Sequence, residues 1–440
     1  MEQSISVFGL GKLGCTMMAC FAHKGWNVIG VDVNRATVDK VNNGESPIYE
    51  PGVAEMIRAN RERISATIDP LYAASNSSVS FIIVPTPSIR DGSFSTEYVE
   101  IAATNIAKAM RSDDSFKVIV VTSTVLPGDM SRICRILEDV SGRKCSKDFG
   151  LCYNPDFIAL GRIVYDFLNP DMILIGESDE KSGAIIEDIH RRLADSDPSI
   201  HRMNWWNAEL SKIALNSYCV TKISFANMLA EICEKMPGGD AGAVSKAVGA
   251  DSRVGTKYFR PGLPVGGPCF GRDLRAFSQA AGRFNVKASV AEAVDKLNES
   301  YRIHRIPEMV LEALRERDTD RLSVLGLTYK EDTTLVEEAA SMSVIRVLSE
   351  QGIKINAYDP SGMEEAKREL KGCPGVSFVD TIAQCLQDTG VCFVATPWSM
   401  FKTITAEDFE QSMAEDPIII DAWNLYAFDK PVVRKIGRAP

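Results

Sequence analysis

The chain is predicted to be an α/β protein with two doubly wound parallel-sheet domains, joined by a long central helix and a helical dimerisation region. Three observations lead there. A glycine-rich turn, Gly9-Leu10-Gly11-Lys12-Leu13-Gly14, separates an apolar strand from a helix near the N-terminus. The C-terminal part repeats the strand layout of the N-terminal part without repeating those glycines. Between them, Trp206 to Lys235 has a helical pattern with neither Pro nor Gly, enough for about 45 Å of helix.

The elements follow in order. Ile5–Phe8 is the first strand, Cys15–Lys24 a helix, and Val28–Asp32 the second strand. Glycine at positions 9, 11 and 14 allows a tight turn, close backbone approach to a pyrophosphate, and helix–strand packing. This is a Rossmann-like dinucleotide fingerprint. Asp32, ending the next strand, would accept both ribose hydroxyls and repel a 2′-phosphate, so NAD is expected over NADP. Strands Val79–Val84 and Lys117–Val121 run into Pro85-Thr86-Pro87 and Thr122-Ser123-Thr124. Ligands bind beyond the carboxyl ends of such strands, which places Thr86 and Thr124 at the cofactor or substrate. A turn or helix-cap role would suit either threonine equally.

Strand Phe149–Tyr153 is followed by Asn154-Pro155-Asp156-Phe157. The long helix stops at Met236-Pro237-Gly238-Gly239, and more helix is expected from about Leu274 to Arg317, interrupted near Pro307. Leu322–Gly326, Ile355–Asp359, Phe393–Pro397 and Ile418–Asp421 repeat the N-terminal layout. With no G-x-G-x-x-G there, the second domain suits a nucleotide diphosphate rather than a second dinucleotide.

With 440 residues, two or three domains are expected. A net charge of −10 argues against a broad nucleic-acid or anionic-membrane footprint. No apolar run approaches a membrane span, and no basic-then-apolar leader opens the chain. The eleven cysteines are scattered without a Cys-x-x-Cys pair, as in a reducing cytoplasm. No structural metal is expected.

Cys269 stands apart from the rest. It follows Gly266-Gly267-Pro268 and precedes Phe270-Gly271-Arg272-Asp273, a helix start beside cations, where a thiol acquires thiolate character. Hydride removal from an alcohol needs no thiol. Oxidising the resulting aldehyde does, through a thiohemiacetal and a thioester. The pairing of fingerprint and thiol therefore implies a four-electron oxidation of an alcohol to a carboxylate. Asp273 lies one helical turn beyond Cys269, and Lys212 and Asn216 lie one turn apart on the long helix. Such a lysine stabilises an oxyanion and such an asparagine orients a hydroxyl or water, although Lys-x-x-x-Asn is also ordinary solvated helix. Asp156 is either a general base toward water or a helix cap. None of the four histidines occupies a strand-end glycine context, which disfavours a hydroxy-acid dehydrogenase with a histidine base.

Taken in order, these motifs resemble the UDP-glucose/GDP-mannose dehydrogenase family. Gly9–Gly14 with Asp32, Pro47–Gly52, Val84–Pro87, Ser123–Val125, Asn154–Phe157, Glu209–Lys222, Asp251–Gly255, Gly266–Asp273 and Gly326–Lys330 carry the resemblance over nearly the whole chain. It implies Cys269 as nucleophile, with Lys212, Asn216 and Asp273 stabilising the oxyanion and orienting water. It implies that Asp156 and Thr124 stand near that water, Asp156 where the family has Glu. Arg253, Gly266 and Lys330 are then substrate contacts, Arg253 reaching across a dimer. Residues 1–203 would bind NAD, 204–300 form the central dimerisation domain with Lys212 and Cys269, and 301–440 bind the sugar nucleotide. The implied reaction is oxidation of UDP-glucose to UDP-glucuronate for polysaccharide synthesis by a cytoplasmic homodimer. GDP-mannose and UDP-N-acetylhexosamines are the alternative substrates.

The chain also departs from the family pattern. Leu160 replaces a second Glu, Glu337 an Arg that helps hold the cofactor pyrophosphate, and Trp423 another Arg. These losses keep open a non-catalytic sugar-nucleotide or NAD sensor. A two-electron β-hydroxyacid dehydrogenase would share the helix Lys and Asn but has no use for Cys269.

Overall fold

A computed structural model describes residues 4–439 and divides the chain into two compact units, the boundary falling after Ala214, inside the long helix. In the first unit the strands are β1 (Ile5–Phe8), β2 (Val28–Val31), β3 (Ile64–Thr67), β4 (Val79–Ile82), β5 (Lys117–Val121), β6 (Phe149–Tyr153), β7 (Met172–Glu177) and β8 (Ser199–Met203). They form one sheet in the order β3-β2-β1-β4-β5-β6-β7-β8. Six strands are parallel, and β7 turns antiparallel to β6. β1 sits between β2 and β4, pairing Ile5 with both Val28 and Val79.

The second unit holds β9 (Arg321–Leu325), β10 (Lys354–Tyr358), β11 (Val376–Phe378), β12 (Val391–Val394), β13 (Ile418–Asp421) and β14 (Val432–Lys435). Their order is β11-β10-β9-β12-β13-β14, the same 3-2-1-4-5-6 winding as the first six strands, and all pairs are parallel. The repeat expected from the sequence is thus a repeat of topology.

Both sheets are covered on two faces, so their strands read as continuous apolar runs. Along β5, Val118 and Val120 join one core while Ile119 and Val121 join the other. Along β13, Ile418 and Ile420 face one core and Ile419 the opposite one. Each such side chain, fully buried, contributes about 1.5–3 kcal/mol.

The long helix spans Trp205–Lys235. Two other helices differ from expectation. The first runs Lys12–His23, so it opens directly on Gly11 rather than after the glycine turn. The helical stretch expected from Leu274 begins at Phe270 and is three helices, Phe270–Arg283, Ser289–Ser300 and Ile306–Glu316. It breaks at Asn285, whose φ is 58°, and its regular winding is interrupted again close to Pro307, as expected. Pro307 occupies the first turn of its helix, where a missing N–H costs nothing, after a π turn at Tyr301–Arg305.

One cap ties the start of the long helix to the first sheet. Glu209 is 0% exposed and accepts the N–H groups of Gly128 at 2.9 Å and Met130 at 2.8 Å, at the start of helix Asp129–Ser141. That helix lacks a side-chain cap of its own. Glu209→Ala strands one buried and one half-buried donor and is expected to cost about 2–4 kcal/mol. Urea unfolding of the full chain measures it.

Candidate active site

The turn after β1 is shaped to admit a ligand. Gly9 has a φ of 100°, and a Cβ there would lie 2.5 Å from the Ile83 carbonyl oxygen. At Gly14 a Cβ would lie 1.8 Å from the Gly9 oxygen, so the helix packs on the turn only without a side chain. At Gly11 a Cβ would meet nothing within 4 Å. Open space therefore faces the first turn of helix Lys12–His23, whose N-cap makes no side-chain bond, the arrangement that takes a pyrophosphate. Asp32 Oδ2 accepts the Leu10 N–H and Oδ1 the Asn34 N–H, both at 2.8 Å, leaving each oxygen a lone pair for a ribose hydroxyl.

The matching acid of the second sheet is placed alike and used differently. Asp359 is 1% exposed. Its Oδ2 accepts from Leu327 N–H, Thr328 N–H and Oγ1, and Trp398 Nε1, while Oδ1 takes the N–H groups of Ser361 and Gly362. No lone pair is left for a ribose.

Thr86 is buried and Thr124 half-buried. The residue between their loops that sequence reasoning passed over is Ser123. Its Oγ accepts the Val84 N–H at 2.9 Å and donates to the Val84 carbonyl at 2.7 Å, fastening the two strand ends together. Glu50, also given no role, accepts the N–H groups of Gly161 at 3.1 Å and Ile163 at 2.9 Å, bracing the loop that carries Asp156. A lone acid inside Pro47–Gly52 was its only signal in the sequence, and the fold buries it to 6% exposure.

Asp156 does not cap a helix. Its Oδ2 is buried without a hydrogen-bond partner, and its backbone carbonyl accepts from Lys212 Nζ. Burial pushes its carboxyl up to about 7, with the Lys212 ammonium pulling the other way. Lys212 also lies 4.5 Å from the centre of the Phe157 ring. It is 8% exposed, so the solvated-helix reading does not hold for it. His190 is a structural group. Its Nε2 meets Asn154 Oδ1 at 2.6 Å, and burial holds its ring down at about 4, so the ring is neutral at neutral pH.

In the second unit, Asn216 Nδ2 donates to Asp273 Oδ2 at 2.6 Å. Both side chains are buried, Asp273 to 1% exposure. Arg272 Nη2 approaches Asp273 Oδ1 at 3.2 Å. The Asp273 N–H donates to the Cys269 carbonyl at 2.8 Å, closing the first turn of helix Phe270–Arg283. Cys269 is the N-cap residue and is exposed, whereas most of the other cysteines are buried. Gly267, with a φ of 86°, lies against Tyr329, where a Cβ would sit 2.6 Å from the ring.

The remaining predicted substrate contacts in this unit include two cations. Arg253 is exposed and forms a two-point pair with Asp251 (Nη2–Oδ2 2.7 Å, Nε–Oδ1 3.0 Å). Lys330 Nζ lies 5.9 Å from the centre of the Tyr329 ring. Trp423, standing where an arginine was expected, donates its indole N–H to the Ala395 carbonyl at 3.0 Å, and the Arg260 guanidinium lies 5.5 Å from its ring centre. Among the described residues, no cluster of three His, Cys, Asp or Glu side chains can hold a metal ion, and no helix is long and apolar enough to cross a membrane.

Three domain models of the UDP-glucose/GDP-mannose dehydrogenase family match in order: the NAD binding domain over residues 3–194, the central domain over 206–300, and the UDP binding domain over 323–428. UDP-glucose 6-dehydrogenase of Bacillus subtilis is 32% identical over 430 residues, 97% of this chain and 90% of that protein. GDP-mannose 6-dehydrogenase of Pseudomonas aeruginosa is 32% identical over 360 residues, 81% of this chain and 80% of that one. The solved UDP-glucose dehydrogenase of Pyrobaculum islandicum superposes with a TM-score of 0.87 at 30% identity, covering 100% of this chain and 98% of its own.

Gly11→Val sends a branched side chain into the open space at the glycine turn, where its Cβ meets nothing within 4 Å. The variant is expected to keep its melting temperature within a few degrees and to weaken NAD binding at least about 100-fold, some 2.7 kcal/mol. Isothermal titration with NAD measures it.

Proposed function

The chain belongs to the UDP-glucose/GDP-mannose dehydrogenase family, and from that premise we propose that it oxidises UDP-glucose to UDP-glucuronate. It is an NAD-dependent nucleotide-sugar 6-dehydrogenase. The UDP-glucose assignment draws support from the Bacillus subtilis relative, which aligns with 97% of the chain against 81% for the GDP-mannose enzyme. The observation that carries the chemistry is the exposed Cys269 one helical turn before the buried Asp273–Asn216 pair.

Bound NAD supplies the hydride acceptor for each of two oxidations. Gly9, Gly11, Gly14, Asp32, Thr86 and Thr124 hold it. In the second step the Cys269 thiolate adds to the C6 aldehyde, giving a thiohemiacetal that becomes a thioester on losing hydride. Lys212 and Asn216 neutralise the charge that gathers on the C6 oxygen. Asp273 keeps Asn216 aimed and helps place the water. Asp156 takes a proton from that water as it attacks the thioester, and the acid leaves with the thiol restored. Arg253, Lys330 and the Gly266 backbone serve the sugar nucleotide.

The division of labour along the chain is NAD at 1–203, the chemistry and a dimer contact at 204–300, and the nucleotide diphosphate at 301–440. Exposed Phe225, Met228 and Ile232 follow a helical spacing on the long helix and suit pairing of two copies in the cytoplasm.

Stoichiometry tests the reading. Purified protein with excess NAD is expected to form two NADH per UDP-glucose, and Cys269→Ser to form no acid. One NADH per sugar would overturn the thioester route. Turnover of GDP-mannose or a UDP-N-acetylhexosamine in place of UDP-glucose would keep the reaction and change the substrate.

A pH profile tests Asp156. A base works ionised, and this carboxyl is raised, so the hydrolysis rate is expected to climb with pH through about 7. Asp156→Asn should remove that limb and slow acid release at least about 100-fold, read by rapid-quench trapping of the thioester.

A further inference from the structure

The turn carrying Cys269 is gripped by side chains that have no part in the chemistry above. Asn298 takes both backbone groups of Val265, accepting its N–H at 2.7 Å and donating to its carbonyl at 3.3 Å. On the other side, the Gly267 N–H donates to the Glu337 carbonyl at 2.8 Å. Glu338 comes next, with a φ of 51°. That left-handed conformation is unfavourable for a residue with a Cβ.

The Glu338 carboxylate then reaches two helices. Its Oε1 accepts from Arg275 Nη2 at 2.9 Å, on the helix that Cys269 heads, and Arg302 Nη1 lies 3.2 Å from its Oε2. Arg275 also faces Asp295 at 3.5 Å. The fit to the turn leaves no slack: a Cβ at Gly266 would lie 2.8 Å from the Glu338 carbonyl oxygen, and one at Gly271 would lie 2.6 Å from Oε2. The glycines on either side of Cys269 thus accommodate Glu338 itself. Without the carboxylate, two guanidinium groups would keep no shared counter-charge beside the turn, and their repulsion would pull on the head of the helix.

We propose that Glu338 is a positioning residue for Cys269, holding the thiol at the head of its helix through Arg275 and Arg302. The inference rests on the reading of Cys269 as the nucleophile. It accounts for an unfavourable backbone conformation at a residue other than glycine, kept where a carboxylate is needed between two arginines.

The test uses the full chain and the variants Glu338→Gln, Glu338→Asp and Arg302→Gln. Steady-state kinetics are read together with the pH dependence of Cys269 alkylation by iodoacetamide, followed on the Cys269 peptide by mass spectrometry. Glu338→Gln is expected to lower kcat at least about 10-fold, with both KM values changed less than about threefold. Its alkylation profile should shift to higher pH as the thiol loses the helix terminus. Glu338→Asp should recover part of both, and Arg302→Gln should repeat both effects more weakly. Wild-type kcat and an unshifted profile in Glu338→Gln would overturn the proposal. So would a fall in kcat and melting temperature together with an unshifted profile, since that marks fold maintenance alone. If the wild type reduces NAD with no nucleotide sugar, the functional reading fails, while the alkylation profiles still decide whether Glu338 sets the reactivity of Cys269.

Discussion

A carboxylate that is 1% exposed must be matched by donors, and Asp273 is matched from two elements. Asn216 donates to it from the long helix, and the Arg272 guanidinium lies beside it on its own helix. Removing one partner of a buried charge typically costs 3–5 kcal/mol, so these elements hold one another in register. Cys269 inherits its place from that arrangement, because the Asp273 N–H bonds its carbonyl.

The two sheets show how one topology serves two ligands. Both wind 3-2-1-4-5-6, and both end their second strand near an aspartate. Asp32 keeps lone pairs in reserve, whereas Asp359 gives all of its capacity to its own loops and to Trp398. The difference lies in the surroundings rather than in the acid: Gly11 leaves space beside Asp32, and protein donors crowd Asp359. A repeat of fold therefore need not be a repeat of function.

Burial also sorts the titratable groups of the first unit, in opposite directions. It disfavours charge on His190, which falls to about 4, and on Asp156, which rises to about 7. The consequences for stability differ in sign. His190 stays neutral in the fold and takes up a proton on unfolding below its ordinary value, so its share of stability is lost as pH falls from about 6.5 to about 4. Asp156 holds its proton in the fold where the unfolded chain would release it, so its share is lost as pH rises from about 4 to about 7. A carboxyl that ionises with difficulty binds a proton well enough to take one from water near neutral pH.

The sequence by itself determined the periodic and the chemically distinctive parts of this protein. Continuous apolar strands, a glycine fingerprint with Asp32, a long helix without Pro or Gly, and Cys269 between glycines and charges are all local patterns, legible because backbone geometry and thiol chemistry demand those residue types. Helix ends were legible only roughly, since Phe284–Ala288 carries no Pro or Gly to mark the break that Asn285 makes. Only the tertiary structure decided the roles of Glu50, Ser123, Glu209 and Glu338. Each is a common residue type whose partners lie scores of positions away, as with Gly161 for Glu50 and Gly128 for Glu209. It likewise decided that Asp156 is raised and Asp359 saturated, because a carboxylate's behaviour depends on the water and donors that folding removes or supplies.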